Sequence, residues 1–419
     1  MNIYDKMGKN VLTKYVRDLA YSVMRGVRLC WVAACQRRIA LKKVRELHQH
    51  KRPLRVAFLL YELPFWKNEP LFKAMEADER FIPAFWLTDE PRVANDEVRQ
   101  EIRNACKEYV RKHNFLYYEA ASLQELRQQF VPDFLFVVKP YDHVIPFDIY
   151  ELKGILPIFV PYGFSNMATN LVYGGWKLKY FYRYYVESAY IQQEARKYMK
   201  NKARNTRVTG LPMADWLLNS KVERTEGRKR IIWAPHWTVR NMERRALNVS
   251  TFLLIADDML KIAQKYAEQV ELVFKPHPIL KRSLYKDEEW GQERTDAYYQ
   301  AWVEGSNTSL VDGDYAELFG RSDAMIHDCG SFILEYLLMD KPCLYMERDD
   351  SRPEFNESTK QALECYQKGQ TSEDVEKFIQ LVLAEEDPLA EKRAAFLQSY
   401  LCPNNQSPVQ NIITDLLNP

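Results

Sequence analysis

The chain has 419 residues, 47% of them hydrophobic and 28% charged, with a net charge of +2. That length holds two domains with sizeable cores, and the composition is ordinary for a globular protein and excludes a disordered or low-complexity chain. Charge is uneven: residues 1–52 carry 13 Lys and Arg against three acids, while the rest carries 46 against 54, so an anionic partner is expected for the first segment alone. Seven cysteines without C-x-x-C spacing fit reduced thiols.

Residues 10–48 read as helix, with no proline and one glycine, Gly26. Leu19 to Cys35 is apolar but broken by Arg25 and Arg28, a poor transmembrane span. It lacks a small-residue cleavage site, so a signal peptide is not expected. A basic helix carrying Tyr21, Leu29, Trp31 and Val32 suits the plane of an anionic bilayer surface, and residues 1–52 are assigned to that role. The same face could pack on its own domain. No recognition motif supports nucleic acid.

A first domain is expected over 53–218. Leu54–Leu60 is an apolar strand, followed by a loop with Trp66-Lys67, a helix (70–77) and a second strand, Phe81–Leu87. The pattern repeats through helix 92–112, strand 115–118, helix 122–129, strand Asp133–Val138 and strand Ile158–Val160. Strands alternating with helices imply a parallel sheet covered on both faces, with ligands beyond the carboxyl ends of the strands. His143, in the loop after the fourth strand, and Tyr162-Gly163, after the fifth, stand at such ends. No G-x-G-x-x-G occurs, so a dinucleotide site is not indicated. The Tyr- and Lys/Arg-rich run 171–200 reads as a half-buried helix with wet hydroxyls. Arg207–Leu211 closes the domain, and 219–230 is a polar linker.

The second domain, 231–400, restarts the pattern. Ile231–Ala234 leads to Pro235-His236-Trp237-Thr238, with Arg240 beyond. A helix (250–269) precedes strand Glu271–Phe274 and Lys275-Pro276-His277-Pro278. Strand Ala324–His327 turns through Asp328-Cys329-Gly330-Ser331 into helix Phe332–Met339 and strand Cys343–Tyr345. Gly330 and Ser331 open that helix, where unpaired N–H groups and the positive dipole end suit a phosphate. Glu335, one turn on, could accept from ribose hydroxyls. A Ser-capped βαβ turn without a ligand has the same signature. Three strand ends thus bring Lys275, His236 and His277 toward one anion, while His327 reads as structural. Asp312-Gly313-Asp314 resembles a D-x-D metal clasp, but Asp314 with Glu317 also makes a capping box. The histidines match no compact metal spacing, so no metal site is assigned. Residues 401–419 are expected to pack back on the lobes.

The run from Ile231 to Tyr345 resembles the CDP-glycerol glycerophosphotransferase family, the teichoic acid polymerases and primases of bacterial envelopes. It carries Ile232-Trp233-Ala234-Pro235, Lys275-Pro276-His277-Pro278, Asp314-Tyr315-Ala316-Glu317-Leu318, Asp328, Gly330-Ser331, Glu335-Tyr336 and Lys341-Pro342. Weaker matches are Trp66-Lys67, Gly163 and Thr209-Gly210-Leu211-Pro212. The resemblance implies a GT-B architecture of two Rossmann-like lobes facing a cleft. It also implies transfer of glycerol phosphate or ribitol phosphate from a CDP-activated donor to a hydroxyl of a lipid-linked or oligosaccharide acceptor, releasing CMP. Teichoic-acid-like or capsule synthesis at the cytoplasmic face of the membrane would be the setting. Members often carry His-Gly where this chain has Tyr162-Gly163, and Pro-Thr-Trp-Arg where it has Pro235-His236-Trp237-Thr238.

Lys275, Arg240, Gly330, Ser331 and Glu335 are therefore expected to hold the nucleotide and phosphates. His236, His277, Tyr162 and His143 are the candidates for proton transfer. No cofactor is called for, though Mg²⁺ could arrive with the nucleotide. A GT-B glycosyltransferase, a nucleotide-sugar 2-epimerase and a non-catalytic envelope-assembly factor are the alternatives.

Overall fold

The computed structural model describes residues 27, 35–50, 52–90, 93–139, 146–148, 151–152, 154–167, 178–222, 227–240, 248–313, 315–351, 353–400 and 406–418. They form two parallel sheets. The first contains β1 (Leu54–Leu60), β2 (Phe81–Leu87), β3 (Tyr117–Glu119), β4 (Phe134–Val137), β5 (Leu156–Phe159), β6 (Arg183–Val186) and β7 (Thr206–Val208), in the order β3-β2-β1-β4-β5-β6-β7. The second contains β8 (Lys229–Ala234), β9 (Val270–Phe274), β10 (Thr308–Leu310), β11 (Ala324–His327), β12 (Cys343–Met346) and β13 (Gln367–Gly369), in the order β10-β9-β8-β11-β12-β13. In each sheet the chain starts at a central strand, runs to one edge and then returns past the start to build the other. That reversal opens a crevice at the carboxyl ends of the central strands.

Alternation explains why the strands read as unbroken apolar runs. Val56, Phe58 and Leu60 face one side of β1, and Ala57 and Leu59 face the other; both sides are covered. In β8, Ile231 and Trp233 enter a core private to the second lobe, while Ile232 and Ala234 join a cluster that continues into the first. The lobes therefore share packed apolar surface.

Two elements sew them together. Helix Pro408–Leu417 lies against the first lobe: Asp415 accepts from Arg183 at 2.7 Å and from the Tyr185 hydroxyl at 2.9 Å, and Val409 N–H donates to Asp215 at 3.0 Å. At Gly210 (φ +76°) a side chain would meet the Pro408 ring at 2.6 Å, so only glycine lets this helix seat. At the crossing itself, Ser220 Oγ donates to the Ala316 carbonyl at 2.7 Å.

The aromatic run after 177 departs from the expected helix. Tyr184 and Tyr185 lie on β6, wholly buried; Leu178–Tyr180 forms a short 3-10 turn, and the α-helix is confined to Ala189–Tyr198. Tyr184 and Tyr185 enter cores on opposite faces of the sheet, and a short apolar-aromatic run buried on both faces cannot be told from a helix by periodicity. The part of the run over 171–177, Asp314 and His143 lie outside the described residues; helix Ala316–Arg321 takes Tyr315 as its N-cap, one residue past the expected capping box.

Helix 35–50 packs on the first lobe rather than standing clear of it. Ala40, Val44 and Leu47 form its buried stripe, and Lys43 and Arg52 reach Asp133 at 2.5 and 3.0 Å. Burial works to raise the Asp133 pKa, but these two cations hold it below the ordinary carboxylate value. Arg37, Arg38, Lys42 and Arg45 remain exposed on the opposite face. Among the described residues no helix is long and apolar enough to cross a membrane.

Candidate active site

Register sets the site. Trp233 of β8 lies opposite Phe274 of β9, and Ala234 opposite His327 of β11, so the loops leaving these three strands start side by side. Lys275 N–H donates to the Trp233 carbonyl at 2.8 Å and His277 N–H to the Pro235 carbonyl at 3.1 Å, zipping two loops together. The third is tied in by Asp328. Its Oδ1 accepts the His236 N–H at 2.5 Å, and its Oδ2 accepts the N–H and hydroxyl of Thr251 at 2.5 and 2.9 Å. Asp328 is buried, and burial pushes its pKa up to about 6 although three donors pull the other way.

The cradle that results is partly dry and holds one buried cation. Lys275 is buried at 4% exposure. The His236 and His277 rings stand 5.3 Å apart. Burial lowers both pKa values, His236 to about 3 with help from His277, and His277 to about 4 with help from the Lys275 charge. Both are neutral at pH 7. His277 Nδ1 accepts the Ile279 N–H at 3.1 Å, which leaves the ring proton on Nε2. At His236, Nδ1 sits 2.9 Å from the Thr238 hydroxyl, whose oxygen already accepts from Val249 N–H. The Thr238 N–H also donates to Nδ1, at 3.4 Å, so Nδ1 is the acceptor, the hydroxyl donates to it, and again Nε2 carries the proton. Two Nε2–H donors suit contact with phosphate oxygens better than abstraction of a proton.

Helix Gly330–Leu337 begins at the same edge. Its N-cap residue, Cys329, places no side-chain cap on the first-turn N–H groups; Phe332 N–H donates to the Cys329 carbonyl at 3.2 Å, which leaves the Gly330 and Ser331 amides for a ligand. Ser331 is exposed, its hydroxyl 3.2 Å from the Cys329 thiol. At Gly330 a side chain would meet Asn166 of the first lobe at 3.2 Å and Phe355 at 3.4 Å.

Other expected residues are placed elsewhere. Arg240 turns away from the cradle to Asp287 and Glu289, both at 2.5 Å, so two carboxylates neutralise the guanidinium assigned to phosphate. Glu335 is not open to a ribose. It is 4% exposed, accepts from the Tyr315 hydroxyl and lies near Gly163 across the lobe junction. Burial pushes its pKa up to about 7, against the pull of the Tyr315 bond and the Lys67 charge. Lys67 itself stacks over the rings of Trp216 and Tyr315, at 4.2 and 4.5 Å. Tyr162 packs edge-on against Phe65, 4.7 Å between centroids, on the facing lobe. His327 is fully buried between Tyr345 and Tyr366, its Nε2 without a partner. Among the described residues no group of three or more His, Cys, Asp or Glu side chains is arranged to hold a metal ion.

Two groups of residues were not legible in the sequence. Thr251 and His236 are 77 and 92 residues from Asp328, with nothing local to link them. In the first lobe, buried Lys139 pairs with Glu62 at 2.8 Å and Glu90 at 3.4 Å, its ammonium 3.4 Å from the Phe65 ring centroid. This charged cluster lies at the ends of β1, β2 and β4, on the edge that faces the cleft.

Two facing Rossmann-like lobes, with the site at the carboxyl edge of the second, define a GT-B-like fold. The model of the CDP-Glycerol:Poly(glycerophosphate) glycerophosphotransferase family matches residues 170–417, more than half of the chain, and the chain belongs to that family. It is similar in fold to a variant of the wall teichoic acid polymerase TagF (TM-score 0.57, 12% identity, 92% of this chain and 97% of that one). It is similar also to a putative UDP-N-acetylglucosamine 2-epimerase from Listeria monocytogenes (TM-score 0.55, 14% identity, 87% and 96%). UDP-GlcNAc 2-epimerase from Neisseria meningitidis gives a TM-score of 0.53 at 14% identity, over 87% and 100%. At such identities these structures speak for the fold alone. No curated protein matches the sequence significantly.

Proposed function

We propose that the protein transfers glycerol phosphate or ribitol phosphate from a CDP-activated donor to a hydroxyl of a lipid-linked or oligosaccharide acceptor, in teichoic-acid-like or capsule synthesis. The observation that carries this reading is the family match over 170–417, which contains the whole cradle. The acceptor oxygen attacks the distal phosphorus as the bond to CMP breaks, and CMP leaves with the electron pair. Charge spreads over the phosphoryl oxygens, so positioning and electrostatic stabilisation do most of the catalysis. Lys275, the first-turn amides at Gly330 and Ser331, the Ser331 hydroxyl and the two Nε2–H groups supply that stabilisation. The acceptor proton then passes to the facing lobe, where Tyr162 and His143 are the candidates. If Mg²⁺ is required, it enters with the nucleotide.

The setting follows from charge. The exposed arginines of helix 35–50, with the basic residues before it, would hold the enzyme peripherally on the anionic cytoplasmic face of the bacterial membrane. A thermal-shift panel with CMP, CDP-glycerol, CDP-ribitol, UDP and UDP-sugars tests the donor, since a ligand of the folded state raises the unfolding temperature. Stabilisation by cytidine nucleotides alone is expected. Stabilisation by uridine nucleotides instead would refute the reading, and analysis of the product for a phosphodiester or a glycosidic bond would then identify the chemistry.

A further inference from the structure

Beside the cradle, the carboxyl ends of β12 and β13 hold a cavity of about 320 Å³, lined among others by Tyr345, Glu347, Arg348, Ser351, Phe355 and Gln370. Two of its walls belong to the cradle as well. Phe355 is the ring 3.4 Å from where a Gly330 side chain would stand. Val249, also in the lining, donates to the Thr238 hydroxyl that holds His236. A third link is to the facing lobe: next to Phe355, Asn356 bonds the Asn166 and Ser165 carbonyls, at 3.0 and 2.6 Å. A group in this cavity would thus lie between the phosphates and the acceptor side. The volume is at the small end for ligand sites.

Charge decides what fits. The lining contributes Glu347 and Asp349 against Arg348, whose guanidinium is paired with Asp350 at 2.8 Å and donates to the Val239 and Ser250 carbonyls. The lining is therefore net negative and repels a diphosphate, which has Lys275 and the helix start next door. Vicinal hydroxyls would use both oxygens of the half-buried Glu347 as acceptors, and bonds to an ionised acceptor are the strong ones. The flat face of a nucleobase would gain little from that carboxylate.

We propose that this cavity is the subsite for the transferred polyol of the donor, and that Glu347 recognises its hydroxyls; this rests on the donor named under Proposed function. The test is calorimetric titration of the full chain with CMP and with CDP-glycerol, for the wild type, Glu347→Gln and Gln370→Trp, the last filling the cavity from its exposed rim. In both variants CDP-glycerol should bind about tenfold more weakly while CMP stays within about twofold, through the loss of one charge-assisted hydrogen bond in Glu347→Gln and through exclusion of the polyol in Gln370→Trp. Unchanged CDP-glycerol affinity in both variants would overturn the proposal. So would an equal loss for CMP, which would put the nucleoside in the cavity and leave the donor reading intact. A wild type that binds neither ligand would bring down the donor reading and the subsite together.

Discussion

Replacing Asp328 by Asn should loosen the anion cradle while keeping its shape. The carboxylate serves backbone N–H groups from two directions, His236 through Oδ1 and Thr251 through Oδ2, each at 2.5 Å. An amide has one oxygen, so whichever way Asn turns, its NH₂ faces a donor. The site is 1% exposed, and water cannot take over. Leaving one buried donor unpaired costs about 1–3 kcal/mol. Taking about 2 kcal/mol, at about 2–4 °C per kcal/mol for a lobe of this size, unfolding should move down by about 4–8 °C. CMP affinity at pH 7.5 should fall about tenfold, because a released loop must be re-ordered on binding. Differential scanning fluorimetry and calorimetric titration read the two effects. An unfolding temperature within about 1 °C of wild type, with unchanged CMP affinity, would show that Asp328 does not tie the loops.

Ser331→Ala and His277→Ala should each lower turnover by about 100-fold or more with unfolding within about 2 °C of wild type, as removal of single transition-state donors does elsewhere; wild-type rates would remove these residues from the site. Arg240→Ala should leave CMP affinity within about twofold, since its guanidinium is already taken by Asp287 and Glu289; a large loss would return it to the phosphate. Glu187 is fully buried, accepts the Ser165 N–H at 2.7 Å through one oxygen and has no partner for the other, and burial pushes its pKa up to about 7. A folded-state pKa raised this way gives stability at acid pH that is lost as pH rises from the ordinary carboxylate value through about 7. Against Glu187→Gln, which cannot titrate, the wild type should therefore lose about 2 kcal/mol between pH 5.5 and 8; an equal difference at both pH values would refute the shift. Reversing Arg37, Arg38, Lys42 and Arg45 to Glu should abolish co-sedimentation with phosphatidylserine vesicles, at about 1 kcal/mol per charge; undiminished pelleting would mean that another surface makes the contact.

Much of the architecture was written in local pattern. Strands β1, β2 and β11 run over Leu54–Leu60, Phe81–Leu87 and Ala324–His327, as the apolar runs indicated, because a strand buried on both faces has no polar side to blur its ends. The strand ends carrying Lys275, His277 and His236 were visible for the same reason: in a parallel sheet the residues that follow a strand are those that meet the ligand. Strand β6 was hidden because its tyrosines satisfy either periodicity, and only pairing with β5 and β7 chose between them.

What tertiary structure alone decided is which charges are spent and which are left for a ligand. Arg240 and Glu335 have the residue types and spacing of ligand contacts, yet each finds a partner on another element of the same lobe: Asp287, 47 residues on, for one, and Tyr315, 20 residues back, for the other. Asp328 gained its role as the tie between loops in the same way, and so did Lys139 between Glu62 and Glu90. A side chain's residual capacity to bind is set by distance and burial after the chain has closed on itself, and a linear sequence carries neither.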